Sequence, residues 1–279
     1  MKNIFIVGNP EKQGSEAAAY KLESILKGKA NIVGINLNKK IKIPKKSIDL
    51  VISLGGDGSF LNLVESVTER NLPIMGVNFG RLGFLTAGLE NELENLMNEY
   101  IKGEMMIYER NVLKMNLETK AGLLQKVALN DVVVASPDLS QITNLYVIVS
   151  EEPLFHMRGD GLIISTPTGS TAHSLSAGGS LVDPRVEAIL LTPLSPQSLS
   201  SRPLIVRKSA HIVVGVKDEI DRADILMDGM RVGELEKNQK LHVYTSEKVV
   251  KMVQPKNFRF FQRLSEKLGW TVDSDKEDG

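Results

Sequence analysis

The chain has 279 residues, 42% hydrophobic and 24% charged, and its 34 basic residues balance 34 acidic ones. This composition is typical of a globular protein, the length predicts two domains, and the balanced charge disfavours nucleic acid or a membrane as a partner. With no cysteine and four histidines, disulfides and thiolate chemistry are excluded, and any metal should have oxygen ligands. The N-terminal apolar run is too short for a signal peptide and no segment could span a membrane, so we expect a cytoplasmic protein.

Residues 3–106 alternate short apolar runs with amphipathic stretches, which is typical of βα units around a parallel sheet. Strands are predicted at residues 4–8, 32–37, 50–54 and 73–78, and helices at residues 15–26, after residue 59, and at residues 92–100. We therefore expect an open α/β domain, in which ligands bind beyond the carboxyl ends of the strands.

The most informative motif is GGDGS at residues 55–59, where a predicted strand gives way to a helix. Gly55, Gly56 and Gly58 allow positive φ and close backbone approach, and a helix N-terminus favours anions such as phosphate. A carboxylate is unexpected in such a place, which makes Asp57 a catalytic candidate. The alternative is a tight turn in which Asp57 or Ser59 simply caps the helix. The motif matches neither the Walker A loop nor the dinucleotide fingerprint.

After residue 106 the pattern changes to short runs rich in β-branched residues. These runs are residues 112–118, 126–135, 145–149, 162–165, 188–192, 205–206, 211–216 and 240–244. They predict an antiparallel, β-sandwich-like domain. A final stripe of Phe258, Phe261, Leu264 and Leu268 has helical spacing, and we expect it to be core. The predicted domains are residues 1–106, completed by a C-terminal helix at 254–279, and residues 107–253.

Two polar clusters lie in the β-rich half. Residues 158–180 read RGDGLIISTPTGSTAHSLSAGGS, in which a short strand precedes a hydroxyl-rich loop that suits ribose and adenine. A capped loop with no ligand is the alternative. Asn130 and Asp131 interrupt an apolar strand, and because unpaired buried polar groups are destabilising, the pair either faces a partner loop or binds a polar group such as a diol. A strand end facing solvent would also explain it.

Together these segments resemble the NAD kinase family, and the resemblance covers nearly the whole chain. The matching motifs, in order, are GGDGS at 55–59, GVNFGRLGFLT at 76–86, LND at 129–131, DGLIISTPTGSTAHSLSAGG at 160–179 and SRPL at 201–204. GGDG alone is shared with lipid kinases, whereas the long fourth motif is specific to NAD kinases. The resemblance implies a Rossmann-like N-terminal domain of the phosphofructokinase and diacylglycerol kinase type. It also implies transfer of the terminal phosphoryl group of ATP to the adenosine ribose 2′-hydroxyl of NAD, with Mg²⁺ as the expected divalent metal.

The resemblance also implies roles for individual residues. Asp57 corresponds to the proton acceptor, and the backbone of Gly55, Gly56, Gly58 and Ser59 to the donor-phosphate loop. The other implied substrate-binding positions are Gly58 and Phe84 beside Asp57, the NAD-holding pair Asn130 and Asp131, Arg158 and Asp160 near the nicotinamide half, Thr168, and the adenosine loop Thr171, Ala172, His173, Ser174, Leu175 and Ser176. The metal ligands are unknown. Family members are commonly homodimers or homotetramers, so we expect one of these.

Four positions depart from the family pattern, in which Glu is usual at Asp131, Tyr at His173, His at Gln197 and Gln at Met230. Two alternative functions stay open. One is a lipid or sugar kinase sharing the GGDG loop, although no apolar stretch would serve a lipid substrate. The other is a noncatalytic NAD-binding sensor, in which Asp57 would have little purpose.

Overall fold

A computed structural model of the chain describes residues 1–9, 11–12, 14–38, 41–138, 141–217 and 222–270. The first strands and helices are β1 (Asn3–Gly8), α1 (Ser15–Leu26), β2 (Asn31–Asn36), β3 (Leu50–Leu54), α2 (Asp57–Leu61), α3 (Val64–Glu69), β4 (Pro73–Asn78), β5 (Thr86–Leu89), α4 (Leu93–Lys102) and β6 (Met105–Thr119). The next are β7 (Gly122–Ala128), β8 (Asp131–Ala135), β9 (Thr143–Val149), β10 (Glu152–Gly159), β11 (Gly161–Ser165), α5 (His173–Ser176) and β12 (Ala188–Leu194). The last are β13 (Leu204–Arg207), β14 (Ile212–Val216), β15 (Ala223–Met227), β16 (Met230–Leu235), β17 (Leu241–Pro255) and α6 (Phe260–Leu268).

The chain divides into two compact units. Unit 1 comprises residues 1–60, 75–108 and the chain from Val253 onwards, and unit 2 comprises residues 61–74 and 109–252. The sequence pattern predicts residues 61–74 as part of the N-terminal domain, whereas the structure groups them with unit 2. Their helix, α3, packs with unit 2, where Glu65 Oε2 lies 2.9 Å from Lys126 Nζ on β7.

Unit 1 is built on parallel strands. β1 lies between β2 and β3 with parallel register, β4 follows β3, and β5 pairs with β4. The buried side of α1 and α4 packs on this sheet, because Leu22, Leu93 and Met97 join Ile4 and Ile52 in one hydrophobic cluster. β1 and β3 end together, at Gly8 and Leu54, so the segment that begins at Gly55 leaves from the carboxyl edge of the sheet.

Unit 2 contains two sheets of antiparallel strand pairs. In one sheet β10, β9, β14 and β17 follow one another, and β6 pairs with β17 and with β7. The other has the order β13, β12, β11, β8, β15, β16. Side chains from both sheets form one core, which includes Leu113, Val147 and Ile212 from the first sheet and Val132, Ile164 and Ile225 from the second. The predicted α/β plus two-sheet β architecture is confirmed.

Several predicted elements differ from the structure. The predicted helix after residue 59 is two short helices, α2 and α3, and the predicted strand at 126–135 is interrupted between β7 and β8. Strands β5, β10, β15 and β16 were not predicted. The stripe proposed as core is only partly so, because Phe261 is 58% exposed while Leu264 is buried. Residues 271–279 of the predicted C-terminal helical region lie outside the described residues. No helix in the described part of the chain is long and apolar enough to cross a membrane.

Candidate functional site

A glycine-rich turn joins β3 to α2 in unit 1. Gly55 has a φ of +147°, and a Cβ at this position would lie 2.2 Å from Ser59 Oγ, so both conformation and space require glycine. The Gly55 N–H donates to the Val77 carbonyl oxygen at 2.9 Å, which ties the turn to β4. Gly58 is exposed, and its Cβ position has no described neighbour within 4 Å. The turn is therefore fixed at its start and open to solvent at Gly58.

Asp57 is half-buried on this turn, and its carboxylate is held by a second segment. Oδ2 accepts the Phe84 N–H at 2.9 Å, and Oδ1 accepts the Leu85 N–H at 3.1 Å. Gly83 approaches so closely that a Cβ there would lie 2.0 Å from Asp57 Oδ1. A carboxylate oxygen can accept two hydrogen bonds, so each oxygen keeps one acceptor position. Asp57 is therefore an oriented acceptor that can take a further donor.

The segment that holds Asp57, residues 83–86, is called here the clamp loop. Arg263 Nη1 donates to the carbonyl oxygens of Gly83 at 3.2 Å and Thr86 at 2.6 Å, and Gln254 Nε2 donates to the Leu85 carbonyl at 3.3 Å. Burial lowers the pKa of the Arg263 guanidinium, and the negative charge of Asp57 opposes that effect by raising it. A guanidinium stays charged in proteins, so the clamp loop carries a buried cation on its carbonyl side.

The other predicted unit 1 residues lie close to this carboxylate or on its turn. Phe84 supplies one of the two N–H donors, its side chain is half-buried, and Lys267 Nζ lies 5.7 Å from its ring centroid. Ser59 Oγ accepts a hydrogen bond from Asn9 Nδ2 at 3.4 Å. Gly56 lies beside Asn78, whose side-chain oxygen would be 3.6 Å from a Cβ on the glycine. The structure therefore brings the phosphate-loop candidates and Phe84 together around Asp57.

In unit 2 the break between β7 and β8 is organised by Asp228. Its Oδ2 accepts the Leu129 N–H at 2.8 Å, and its Oδ1 accepts those of Asn130 at 2.7 Å and Asp131 at 3.2 Å. Asp228 has a φ of +48°, and its own N–H donates to the Asp131 carbonyl at 3.1 Å. The predicted polar pair, Asn130 and Asp131, is therefore held in place because three consecutive N–H groups of this segment bond to the Asp228 carboxylate.

The hydroxyl-rich loop packs against the same segment. The Thr166 N–H donates to the Asn130 carbonyl at 2.9 Å, and Thr166 Oγ1 donates to the Leu129 carbonyl at 2.6 Å. Gly169 lies directly on this backbone, because a Cβ there would be 2.2 Å from the Asn130 carbonyl oxygen. Residues 129–131 and the start of the loop are therefore one packed cluster.

Asp131 lies in an unusual electrostatic environment. It is 3% exposed, and burial, followed by the nearby Asp228, raises the pKa of its carboxyl to about 7. Burial also raises the pKa of Asp228, against three backbone hydrogen bonds that lower it. The cluster thus holds two carboxyls of which Asp131 can carry a proton near neutral pH.

The hydroxyls of the loop divide into internal and accessible ones. Ser174 is fully buried and its Oγ lies 2.9 Å from Thr192 Oγ1, so this hydroxyl already has a protein partner. Thr171 Oγ1 donates to the Thr168 carbonyl at 3.2 Å. The remaining predicted positions differ in exposure: Thr168 is buried, Ala172 and Leu175 are half-buried, and His173 and Ser176 are exposed.

Two predicted site residues are not brought into this cluster. Arg158 is the penultimate residue of β10, and Asp160 precedes β11. The Gly161 end of β11 pairs with Ala135, whereas its Ser165 end pairs with Asp131. A strand rises about 3.3 Å per residue, so Asp160 lies on the order of 16 Å from the Asn130 and Asp131 end. The Asp160 backbone is instead fixed by the Leu194 carbonyl and the Ser136 N–H.

The structure adds residues that the sequence prediction did not assign to a site. Asp228 bonds the N–H groups of the predicted residues Asn130 and Asp131, and Arg263 and Gln254 bond carbonyl groups of the clamp loop that holds Asp57. An Asp-Gly pair is a turn signal, which could have marked Asp228, but nothing local in the sequence marks the other two. In the described part of the chain, no group of three or more His, Asp or Glu is arranged to hold a metal ion.

Comparison with known proteins gives matches over both units. Residues 10–105 match the family model described as the ATP-NAD kinase N-terminal domain, and residues 129–255 match that of the ATP-NAD kinase C-terminal domain. The NAD kinase of Caldicellulosiruptor saccharolyticus is 35% identical over 265 residues, covering 95% of this chain and 98% of that protein. The NAD kinase of Campylobacter jejuni strain RM1221 is 36% identical over 280 residues, covering 97% and 96%.

Two solved structures share the fold. The yeast NADH kinase complexed with NADH has a TM-score of 0.86 at 24% identity, covering 100% of this chain and 90% of that one. An NAD kinase from Archaeoglobus fulgidus in complex with ATP has a TM-score of 0.76 at 24% identity, covering 97% and 100%. At this identity the likeness speaks to architecture alone, and it agrees with the α/β plus two-sheet β fold described above.

Proposed function

This chain belongs to the NAD kinase family, and from that premise we propose that it transfers the γ-phosphoryl group of ATP to the adenosine ribose 2′-hydroxyl of NAD, producing NADP. Membership makes the protein an enzyme, a phosphotransferase. The observation that carries the proposed reaction is the Asp57 carboxylate, which is fixed by two backbone N–H groups on a glycine-rich turn and still has acceptor capacity.

The proposed chemistry divides between the turn and its carboxylate. The backbone of Gly55 to Ser59 cradles the donor phosphates, since glycines and a strand-to-helix turn offer N–H groups to anions. Asp57 accepts the proton of the ribose hydroxyl as that oxygen attacks the γ-phosphorus. Phosphoryl transfer depends mainly on positioning and charge stabilisation, so the fixed orientation of Asp57 contributes as much as its basicity.

We assign magnesium to the substrate. Mg²⁺ is usually held by substrate phosphates with one or two carboxylates rather than by a protein cage, and it neutralises charge on the transferred group. Mg²⁺ would therefore arrive bound to ATP. In this proposal Asp57 is the carboxylate of the turn that lies nearest to the phosphates, so it is the side chain available to the metal.

The dinucleotide is assigned to unit 2. Asn130 and Asp131 offer an amide and a carboxyl to the ribose hydroxyls, and the loop of Thr168 and Thr171 to Ser176 offers backbone groups and hydroxyls to adenosine. Because Arg158 and Asp160 lie at the opposite end of β11, we propose that they contact the nicotinamide half, or reach a site on another subunit. A homodimer or homotetramer and a cytoplasmic location also remain predictions; sedimentation velocity would test the first.

The direct test is to incubate the purified protein with ATP, Mg²⁺ and NAD and to measure NADP with an NADP-specific dehydrogenase. We expect NADP in the complete mixture and none when ATP is omitted. NAD binding by calorimetry without NADP formation would overturn the kinase proposal and favour a noncatalytic sensor. Parallel reactions with polyphosphate or NADH define the donor and acceptor range.

A further inference from the structure

One peptide group of the clamp loop joins Arg263 to Asp57. Arg263 Nη1 donates to the Gly83 carbonyl oxygen at 3.2 Å, and the N–H of the same peptide group, which belongs to Phe84, donates to Asp57 Oδ2 at 2.9 Å. We infer that Arg263 is a positioning residue that orients Asp57 through this peptide group. The inference rests on the proposed function, in which Asp57 is the proton acceptor.

The charges make this connection stronger than an ordinary pair of hydrogen bonds. A guanidinium on the carbonyl side and a carboxylate on the N–H side polarise the same peptide dipole in the same direction. Arg263 is 8% exposed, so its cation is poorly screened by water, and it lies 4.7 Å from the ring centroid of Phe258. Each charge therefore stabilises the hydrogen bond that the other makes.

The packing leaves the clamp loop little freedom once Arg263 is in place. The same Nη1 also donates to the Thr86 carbonyl at 2.6 Å, and the buried Gln254 donates to the Leu85 carbonyl at 3.3 Å. The Phe84 and Leu85 N–H groups hold the carboxylate, and Gly83 leaves no space for even a Cβ beside it, so a displacement of the loop displaces Asp57 as well. A misplacement of about 1 Å can cost on the order of 100-fold in rate.

A purely architectural role for Arg263 makes a different prediction. If the guanidinium only attached α6 to the rest of unit 1, its loss would lower stability and would reduce the activity of any variant by a similar factor. A role through Asp57 instead requires that the effect on turnover disappear when the Asp57 carboxylate is absent, because coupled residues are non-additive.

The experiment is a double-mutant cycle on the full chain with Arg263→Met, Asp57→Asn and the double variant, with kcat and KM for NAD and ATP measured for each. We expect Arg263→Met to lower kcat by about 10- to 100-fold with both KM values within about twofold. On the Asp57→Asn background the same change should lower kcat by less than about twofold. The matched control is Arg259→Met, since the Arg259 side chain is exposed and its described hydrogen bond runs to the adjacent Phe258 carbonyl; its kcat should equal that of the parent.

Arg263→Lys supplies the rescue. Both carbonyl oxygens are served by the single Nη1 atom, so one ammonium can replace it, and we expect kcat within about fivefold of the parent. Thermal unfolding monitors folding of each variant, and Arg263→Gln replaces Arg263→Met if the latter does not fold. If turnover of Asp57→Asn is below detection, the comparison of kcat between Arg263→Lys and Arg263→Met tests the inference instead.

Three results would overturn the inference: parental kcat for Arg263→Met, equal losses on both backgrounds, or a Lys variant as slow as the Met variant. Each of these results is compared with an unmodified protein that makes NADP. A parent that makes none would contradict the proposed function itself, which keeps the two failures distinct.

Discussion

Asp57 in unit 1 and Asp228 in unit 2 use the same hydrogen-bonding device in opposite electrostatic surroundings. Each carboxylate accepts consecutive backbone N–H groups from a distant loop, two for Asp57 and three for Asp228. One of the two peptide groups that hold Asp57 has the Arg263 cation on its carbonyl side, whereas the peptide groups held by Asp228 include that of a second acid, Asp131. The structure shows two oriented carboxylates; we propose that Asp57 is the one that reacts and that Asp228 orders a loop.

Among the variants that test this comparison, Gly83→Ala should have the largest effect, which is on kcat. The new methyl group would lie 2.0 Å from Asp57 Oδ1 and must displace the carboxylate from the clamp loop. We expect kcat to fall on the order of 100-fold, because the acceptor is misplaced relative to the ribose hydroxyl. The control is Gly80→Ala in the preceding loop, where no described atom lies within 4 Å of the Cβ position. Equal turnover in the two variants would show that the contact does not matter.

The next effect is on stability. Asp228→Ala leaves the N–H groups of Leu129, Asn130 and Asp131 without their acceptor, so we expect a loss of about 2 kcal/mol in the free energy of unfolding. Urea denaturation measures it. NAD affinity should fall with it, because Asn130 and Asp131 lose their alignment. A variant as stable as the parent would mean that water replaces Asp228 without cost.

A smaller effect concerns pH. The pKa of Asp131 is raised in the fold from 3.8 to about 7, so the folded state binds the proton more tightly than the unfolded state between these values. Stability from this group is therefore full below pH 4 and is lost as pH rises toward 7. The free energy of unfolding of Asp131→Asn should therefore increase relative to that of the parent across this range, by about 1 to 2 kcal/mol at pH 8.

This difference in the free energy of unfolding is smaller than the full pKa shift of Asp131 would give, because the protein interior relaxes around a buried charge. Urea denaturation at pH 5 and pH 8 measures the difference. A constant gap between Asp131→Asn and the parent at both pH values would contradict the raised pKa.

The smallest effect should come from His173→Tyr, which restores the residue usual in the family. His173 is exposed on the hydroxyl-rich loop, so the ring can change without repacking. We expect KM for NAD to fall by about two- to fivefold, the size of one hydrogen bond, with kcat unchanged. An unchanged KM would show that this side chain does not contact adenosine, and an increase would show that the tyrosine interferes with NAD binding.

Residues that act locally were predictable from sequence, and those that act at a distance were not. Strand β3, the turn at residues 55–59 and the polar pair at Asn130 have signals within a few residues, namely an apolar run, glycines and a break in hydrophobicity. Arg263 bonds carbonyls 177 and 180 positions away, and Asp228 bonds N–H groups 97 to 99 positions away. Such pairs depend on topology, which periodicity does not specify.

Errors in the predicted elements have a related cause. The run at residues 126–135 looks continuous because both halves are apolar, whereas in the structure the N–H groups of residues 129–131 at the break bond to the distant Asp228 carboxylate. Phe261 has the spacing of a core residue but is 58% exposed, since the buried side of α6 is set by Arg263 and Leu264 instead. A buried arginine with carbonyl partners runs against the usual hydrophobic pattern.

The most direct measurement is to compare Asp57→Asn with Asp228→Asn for kcat at saturating ATP and NAD, for NAD affinity and for thermal stability. Both changes keep the side-chain shape and remove the charge. We predict that Asp57→Asn retains NAD affinity but loses at least about 100-fold in kcat, whereas Asp228→Asn loses stability and NAD affinity but keeps most of its kcat. Near-normal turnover of Asp57→Asn, or a kcat loss in Asp228→Asn as large as in Asp57→Asn, would contradict the distinction between the reacting carboxylate and the ordering one.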